Sequence, residues 1–105
     1  MADAAQHFIY VLRLTRLEML LSGPTAEEAR TLGAHFNYLK DLTGKGVVIL
    51  AGRTLNNDAS TFGIVVVKAA DAAAARAVME NDPFVKDGVA RAELLPFHLA
   101  LMAGN

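Results

Sequence analysis

The sequence predicts an α+β domain whose elements follow one another as strand, helix, strand, strand, helix, strand. Three observations predict this order. Four apolar stretches have the length and the β-branched or aromatic content of strands, a long segment with helical periodicity follows the first of them, and an alanine-rich segment follows the third. The chain has 105 residues, which fits a single domain over residues 1–105.

The first strand is predicted over residues 7–16, HFIYVLRLTR, because β-branched and aromatic residues dominate there. Gly23 and Pro24 then interrupt regular structure. Thr25 suits the N-cap of a helix, and Glu28, three residues later, completes a capping box.

The first helix is therefore expected from about Ala26 to Leu42, followed by a glycine-containing turn that ends it. At 3.6 residues per turn, one face of this helix carries an apolar stripe, with a histidine and a leucine at its edge. The stripe consists of Leu32, Phe36 and Leu39, and its edge of His35 and Leu42.

Three further elements complete the order. Residues 47–53 and 62–68 are apolar runs separated by polar turn residues, so they are predicted to form an antiparallel pair of strands. Asp71 is expected to cap a second helix over residues 72–81, which are good helix formers. Residues 90–97 alternate as a last strand would.

This order is that of the ferredoxin-like fold, a four-stranded antiparallel sheet with both helices on one face. The runs VVILAG and GIVVV are apolar at nearly every position, so both sheet faces need burial. Two helices cover only one face. A second copy packed sheet against sheet would cover the other, and the apolar run at residues 97–102 also favours association. We therefore predict a homodimer.

Composition excludes several classes of function. Basic and acidic residues, 10 and 11 of them, are mixed along the chain, so no basic stripe for nucleic acid exists. Cysteine is absent, which excludes disulfides, thiolate catalysis and cysteine-ligated metals. The start MADAAQ lacks the basic residues of an export signal, and the apolar runs are too short to span a membrane. We predict a soluble, cytoplasmic protein.

His35 and Asp82 are the candidates for catalysis. An imidazole titrates near neutral pH and suits proton transfer, while a carboxylate can fix its tautomer and stabilise the imidazolium. Each residue also has a structural alternative. His35 can be an ordinary helix-edge histidine, and Asp82 can be the N-cap of a turn that begins at Pro83. One carboxylate oxygen can cap while the other meets the histidine.

Four further residues are candidates for binding a small substrate. Arg53 can bind a carboxylate or enolate, and Gly52 can let the backbone approach a ligand, although a surface arginine and a bulge glycine are the alternatives. Tyr38, one helical turn from His35, can line the same pocket or face water. Phe84 can form an apolar wall or simply anchor its turn.

No cofactor site is predicted. His7 and His98 make no metal-ligand spacing with His35 or with a carboxylate. The sequence also contains neither a glycine-rich phosphate loop nor a serine elbow. We therefore expect neither a metal nor an organic cofactor.

Two segments resemble the YciI-like (YCII-related) domains. AHFNYLKDLTGKGVVILAGR is similar to that family's helix histidine, glycine and strand ending in Ala-Gly. NDPFVKDGVARAELLPF is similar to its Asp-Pro-aromatic segment, a following glycine and a final strand ending in Pro-Phe. The region LTRLEMLLSGPTAEEARTLG departs from the pattern, because it is longer and more apolar than the expected connection, which predicts a different pocket mouth.

The resemblance implies a ferredoxin-like domain that dimerises into an α+β barrel. It implies that His35 and Asp82 match the family's active-site pair, and that Gly52 and Gly88 match its glycines. Members with assigned chemistry resemble lyases acting on small cyclic substrates, and related dimeric barrels include isomerases and cofactor-free oxygenases. Fold analogy alone does not choose among these activities.

The leading hypothesis is a dimeric, cofactor-independent lyase or isomerase that uses His35 as acid and base, with Asp82 orienting it, on a small metabolite. A non-enzymatic ligand-binding or regulatory module using the same pocket is the second hypothesis. A third makes the dimer an interaction platform with an idle pocket.

Overall fold

The computed structural model describes residues 6–104. The prediction of no export signal rests in part on residues 1–5, which lie outside that range. The elements in chain order are β1 (Gln6–Leu14), α1 (Glu18–Leu21), α2 (Ala26–Gly44), β2 (Val48–Arg53), β3 (Gly63–Ala69), α3 (Ala72–Glu80), α4 (Pro83–Lys86) and β4 (Ala90–Phe97). The strands form one antiparallel sheet in the order β2-β3-β1-β4, so the predicted ferredoxin-like class is confirmed. Within residues 6–104, no helix has the length and apolar character needed to cross a membrane.

The N-terminus of α2 has the predicted capping box. The Thr25 hydroxyl accepts a hydrogen bond from the Glu28 amide at 3.1 Å, and the Glu28 carboxylate accepts one from the Thr25 amide at 2.8 Å. Glu28 also binds Arg16 through two hydrogen bonds of 2.6 and 2.8 Å. The Arg16 hydrogen bond, and then the Thr25 amide, lower the pKa of Glu28 to about 2. This contact ties the segment after β1 to the start of α2.

The first strand is shorter than predicted at its carboxyl end. It stops at Leu14 because Thr15 turns toward the start of β4, where its amide donates to the Val89 carbonyl at 3.0 Å and its hydroxyl to the Gly88 carbonyl at 2.8 Å. The chain then forms α1, a helix that the sequence did not predict. This helix has only four residues and lacks a capping side chain, so no start signal marks it.

The core lies between one face of the sheet and the helices. Alternate residues of β1 point into it, as strand geometry requires. Its buried members include Phe8, Tyr10, Leu12, Leu39, Val65, Val67, Ala75, Met79 and Phe84.

The apolar stripe predicted on α2 is only partly buried. Leu39 is buried, but Leu32 and Phe36 are 42% and 64% exposed. The physical reason is that all three border an open groove between α2 and the sheet, and only the residue nearest the carboxyl end of the helix reaches the core.

The opposite sheet face carries no helix, yet it is apolar. Ile9 pairs with Val66 on one side and with Leu95 on the other, and Leu50 also pairs with Val66, so these side chains share one face. Leu50 and Leu95 are 47% and 41% exposed. This surface, which we call the outer face, has the composition of a surface that association covers.

Candidate active site

Asp82 lies at the junction of α3 and α4 and caps the second of these helices. Its Oδ1 accepts a hydrogen bond from the Phe84 amide at 3.0 Å, and Pro83 occupies the first turn of α4, as the sequence predicted. The carboxylate is completely buried, with 0% exposure. A buried carboxylate of this kind requires several hydrogen-bond donors around it.

His35 is one of those donors. Its Nδ1 lies 2.7 Å from Asp82 Oδ1, although the two residues are 47 positions apart. The capping oxygen and the histidine-binding oxygen are therefore the same atom, whereas one oxygen for each task was expected from the sequence. The second oxygen, Oδ2, instead accepts a hydrogen bond from the Tyr10 hydroxyl at 2.7 Å.

Tyr10 is the residue of this site that sequence reasoning missed. It lies in the middle of β1 with 0% exposure. Burial, and then the neighbouring Asp82 carboxylate, raise the pKa of Tyr10 far above its usual range, so the hydroxyl keeps its proton and donates. One signal was present, since a tyrosine at an inward position of a strand requires a partner for its hydroxyl.

The Phe84 ring packs against the face of the His35 imidazole. The two rings are stacked, with centroids 4.3 Å apart and planes 15° from parallel. Asp82 and Phe84 together fix both the rotation of the imidazole and the position of Nδ1. With Nδ1–H donated to Asp82, the neutral ring carries its lone pair on Nε2.

Nε2 of His35 is available to a ligand. It makes no hydrogen bond to any residue between 6 and 104. In that same stretch no fully buried side-chain nitrogen or oxygen lacks a partner, so Nε2 retains contact with open space. His35 lines the groove between α2 and the sheet, so a molecule bound in the groove can contact this ring.

The groove has a volume of about 1290 Å³ and largely apolar walls. Apart from His35, its charged lining residues among those described are Lys40 and Arg53, and no carboxylate lines it. The segment that departs from the YciI-like pattern contributes Met19, Leu20, Gly23 and Pro24 to one wall. A site of this composition suits an apolar ligand that carries negative charge.

The other predicted binding residues separate into two groups. Gly52 and Arg53 line the groove at the end of β2, and nothing lies within 4 Å of the point where a Cβ on Gly52 would be. The Arg53 guanidinium donates to the Thr54 carbonyl at 3.0 Å and is otherwise exposed. Tyr38 does not line the groove, because its hydroxyl donates to the Val78 carbonyl at 2.7 Å and so joins α2 to α3.

The described part of the chain has no cluster of side chains that could bind a metal ion. Residues 6–104 contain no group of three histidine or acidic side chains placed to hold an ion.

Comparison with known proteins gives the family of the chain. The family model of the YCII-related domain matches residues 8–98, and this span includes every residue of the site. The chain belongs to the YCII-related domain family. The resemblance of its two sequence segments to that family is thereby confirmed.

Solved structures share the fold of this YCII-related domain. One is 5-chloro-2-hydroxyhydroquinone dehydrochlorinase (TftG) from Burkholderia phenoliruptrix AC1100 in complex with 2,5-dihydroxybenzoquinone, with a TM-score of 0.61, 20% identity, and coverage of 87% of this chain and 93% of that one. Another is the uncharacterized protein TM1266 from Thermotoga maritima, with a TM-score of 0.55, 9% identity, and coverage of 91% and 100%. No curated protein matches the chain.

Proposed function

We propose that this YCII-related domain is a cofactor-independent enzyme that moves a proton in an elimination or isomerisation of a small metabolite. The observation that carries the proposal is the orientation of His35. Its Nδ1 is held by the buried Asp82 carboxylate at 2.7 Å, and the ring lines an open groove to which its other nitrogen is available.

The chemistry follows from that orientation. Nε2 of the neutral ring accepts a proton from a carbon next to a carbonyl, and Asp82 stabilises the imidazolium that forms. The electron pair left on the substrate then expels a leaving group on the neighbouring carbon, or reprotonation from Nε2 at another carbon completes an isomerisation. Deprotonated and protonated states of one residue serve both halves of the reaction.

The groove favours a substrate that is apolar and anionic. Arg53 and Lys40 can stabilise negative charge that develops on an enolate, and the surrounding walls suit an aromatic-derived ring. The dehydrochlorinase that shares the fold is bound to a dihydroxybenzoquinone, which is a compound of that chemical class. We therefore include in the proposal that the substrate is an anionic, aromatic-derived compound.

We also propose that the protein works as a homodimer in which the outer face is the interface. The partly exposed leucines of that face, Leu50 of β2 and Leu95 of β4, lie on either side of the two central strands β3 and β1. Sheet-to-sheet packing buries both leucines. Leu50 also lines one edge of the groove, so the interface borders the groove there, while His35 lies on the helical side. The cytoplasmic location stays a prediction from the sequence.

The test begins with a thermal-shift screen of small aromatic acids and phenols, followed by product analysis for every compound that binds. Replacing His35 with Ala is expected to abolish turnover while the chain stays folded, as judged by circular dichroism. His98→Ala is the matched control, because His98 is exposed and does not line the groove. Undiminished turnover in His35→Ala contradicts the proposal.

The second candidate is a ligand-binding or regulatory module that uses the same groove. The openness of the groove and the exposure of Phe36, at 64%, favour it, since a catalytic site usually excludes water. This candidate predicts compounds that bind without being converted, and His35→Ala would then change affinity alone.

A further inference from the structure

We infer that Tyr10 is a positioning residue, whose buried hydroxyl orients the Asp82 carboxylate so that its other oxygen holds the His35 ring. The inference rests on the proposed function and extends it from a pair of residues to a chain of three. It concerns the ground-state geometry of the histidine, so its test needs no substrate.

The first step is the rigidity of the tyrosine. Tyr10 is paired in register with Val65 of β3 and Leu94 of β4, so its backbone is held by strands on both sides. Its side chain crosses the core from the sheet to the junction of α3 and α4. The hydroxyl reaches Asp82 Oδ2 at 2.7 Å in a place where neither residue is exposed.

The Asp82 carboxylate is held in one orientation because both of its oxygens accept hydrogen bonds. The Phe84 amide donates to Oδ1 and the Tyr10 hydroxyl donates to Oδ2, so these two hydrogen bonds oppose rotation of the Asp82 carboxylate about its Cβ–Cγ bond. Only with that plane fixed does the lone pair of Oδ1 stay directed at Nδ1 of His35. Tyr10 thereby acts on the histidine without touching it.

The buried negative charge of Asp82 depends on its hydrogen-bond donors. Donors from Tyr10, His35 and Phe84 surround a carboxylate that has no contact with solvent. Without the tyrosine hydroxyl, Oδ2 is a buried acceptor with no partner, which is costly. The carboxylate is then free to rotate, and that rotation releases Nδ1. Because the hydrogen bond at one nitrogen decides which nitrogen carries the proton, the tautomer of His35 reports the change.

The structure provides a matched control. The chain has 2 tyrosines, and the hydroxyl of Tyr38 also makes a hydrogen bond of 2.7 Å, but to the main-chain carbonyl of Val78. Tyr38→Phe therefore removes a hydrogen bond of equal length from the same residue type and leaves the Asp82 contacts intact.

The experiment records ¹⁵N spectra of the histidine rings as a pH series in the parent, Tyr10→Phe, Tyr38→Phe and Asp82→Asn. We expect the neutral His35 ring to carry its proton on Nδ1 in the parent and in Tyr38→Phe. In Tyr10→Phe and Asp82→Asn that tautomer is expected to become a minor form. A Tyr10→Phe protein that keeps the parent tautomer overturns the inference, even if it is less stable.

A second measurement applies if Tyr10→Phe does not fold. In the Tyr38→Phe protein Tyr10 is the one remaining tyrosine, so growth on 3-fluorotyrosine labels that position alone. Fluorine makes the hydroxyl a stronger donor to Oδ2, which withdraws charge from Oδ1 and moves the His35 Nδ1 proton resonance upfield. An unmoved resonance overturns the inference.

Failure of this inference and failure of the proposed function give different results. If His35→Ala is inactive but Tyr10→Phe keeps the parent tautomer, only the role of Tyr10 is rejected. A changed tautomer in a protein that converts no compound supports the role of Tyr10 and rejects the enzyme.

Discussion

The imidazole of His35 and the phenyl ring of Phe84 lie face to face, 4.3 Å apart and 15° from parallel. The same phenylalanine donates its amide to the oxygen of Asp82 that binds the imidazole. One residue of α4 thus contacts both members of the pair, through its side chain on one and through its main chain on the other. The first turn of this short helix is therefore part of the site.

Phe84→Leu is expected to remove the stack while leaving the amide and most of the apolar volume in place. The loss of stability is about 1–2 kcal/mol, and turnover falls about 10- to 100-fold because the imidazole loses its orientation. Kinetics with a substrate from the screen measures the effect. Phe8→Leu is the control, since Phe8 is buried in the core and does not line the groove. Equal losses of turnover in both variants contradict the prediction.

Asp82→Ala is expected to destabilise the protein by about 3–5 kcal/mol, because it removes a helix cap and leaves buried donors without an acceptor. Asp71→Ala is the matched control. Asp71 caps α3 through the Ala74 amide at 2.8 Å but is exposed, so its loss is expected to cost about 1 kcal/mol. Urea denaturation measures both variants, and similar costs for the two caps would argue against a buried network at Asp82.

The capping box of α2 predicts a dependence of stability on pH. Glu28 has its pKa lowered from 4.5 to about 2, chiefly by Arg16, so its charged form is favoured in the folded state. The resulting stability is complete above pH 4.5 and is lost as the pH falls toward 2. Glu28→Gln keeps a capping acceptor and loses the charge. The difference in Tm between the parent and this variant should therefore shrink from pH 6 to pH 3, and a constant difference contradicts the assignment.

The outer face predicts the effect of a charge placed on it. Leu95→Glu is expected to convert a dimer of two 11.2 kDa chains into a folded monomer, because a carboxylate within a sheet-to-sheet interface is not solvated. Sedimentation equilibrium gives the mass. Leu21→Glu is the control, since Leu21 is 61% exposed and belongs to α1, away from the outer face. A parent protein that is monomeric, or a Leu95→Glu dimer, contradicts the interface.

The charge of the groove predicts a preference among ligands. Arg53→Gln should weaken binding of an aromatic acid from the screen about tenfold and leave the corresponding amide unaffected, because the guanidinium recognises the carboxylate. Calorimetric titration of both compounds gives the ratio. Lys86→Gln is the control, because Lys86 does not line the groove. Equal weakening of the acid and the amide would mean that Arg53 acts on the shape of the groove instead.

The sequence predicted the order of the main elements because each of them carries a local signal. The capping box at Thr25, the cap at Asp71 and the strand over residues 90–97 are where the patterns placed them. The helix α1 was missed because four residues without a cap leave no such signal. Local patterns also indicate which residues are apolar but not what covers them, so the stripe on α2 did not show that Leu32 and Phe36 stay exposed beside a groove.

The site was harder to predict than the fold. The residue types at His35 and Asp82 suggested proton chemistry, but 47 intervening residues carry no information about distance. Tyr10 is 72 positions from Asp82, and in the strand pattern it resembles any packed aromatic residue. Only the register of the sheet and the placement of α4 bring these groups together.

The double attachment of Asp82 has a consequence for how this protein can change through evolution. The carboxylate caps α4 and is buried in the core, so a descendant without the proposed reaction would still be selected to keep this aspartate for folding. His35 closes no helix and is held mainly by that carboxylate and by Phe84, so it would be free to drift. Retention of an aspartate at this position thus marks a shared architecture, and the histidine is the position at which working and idle relatives are expected to diverge.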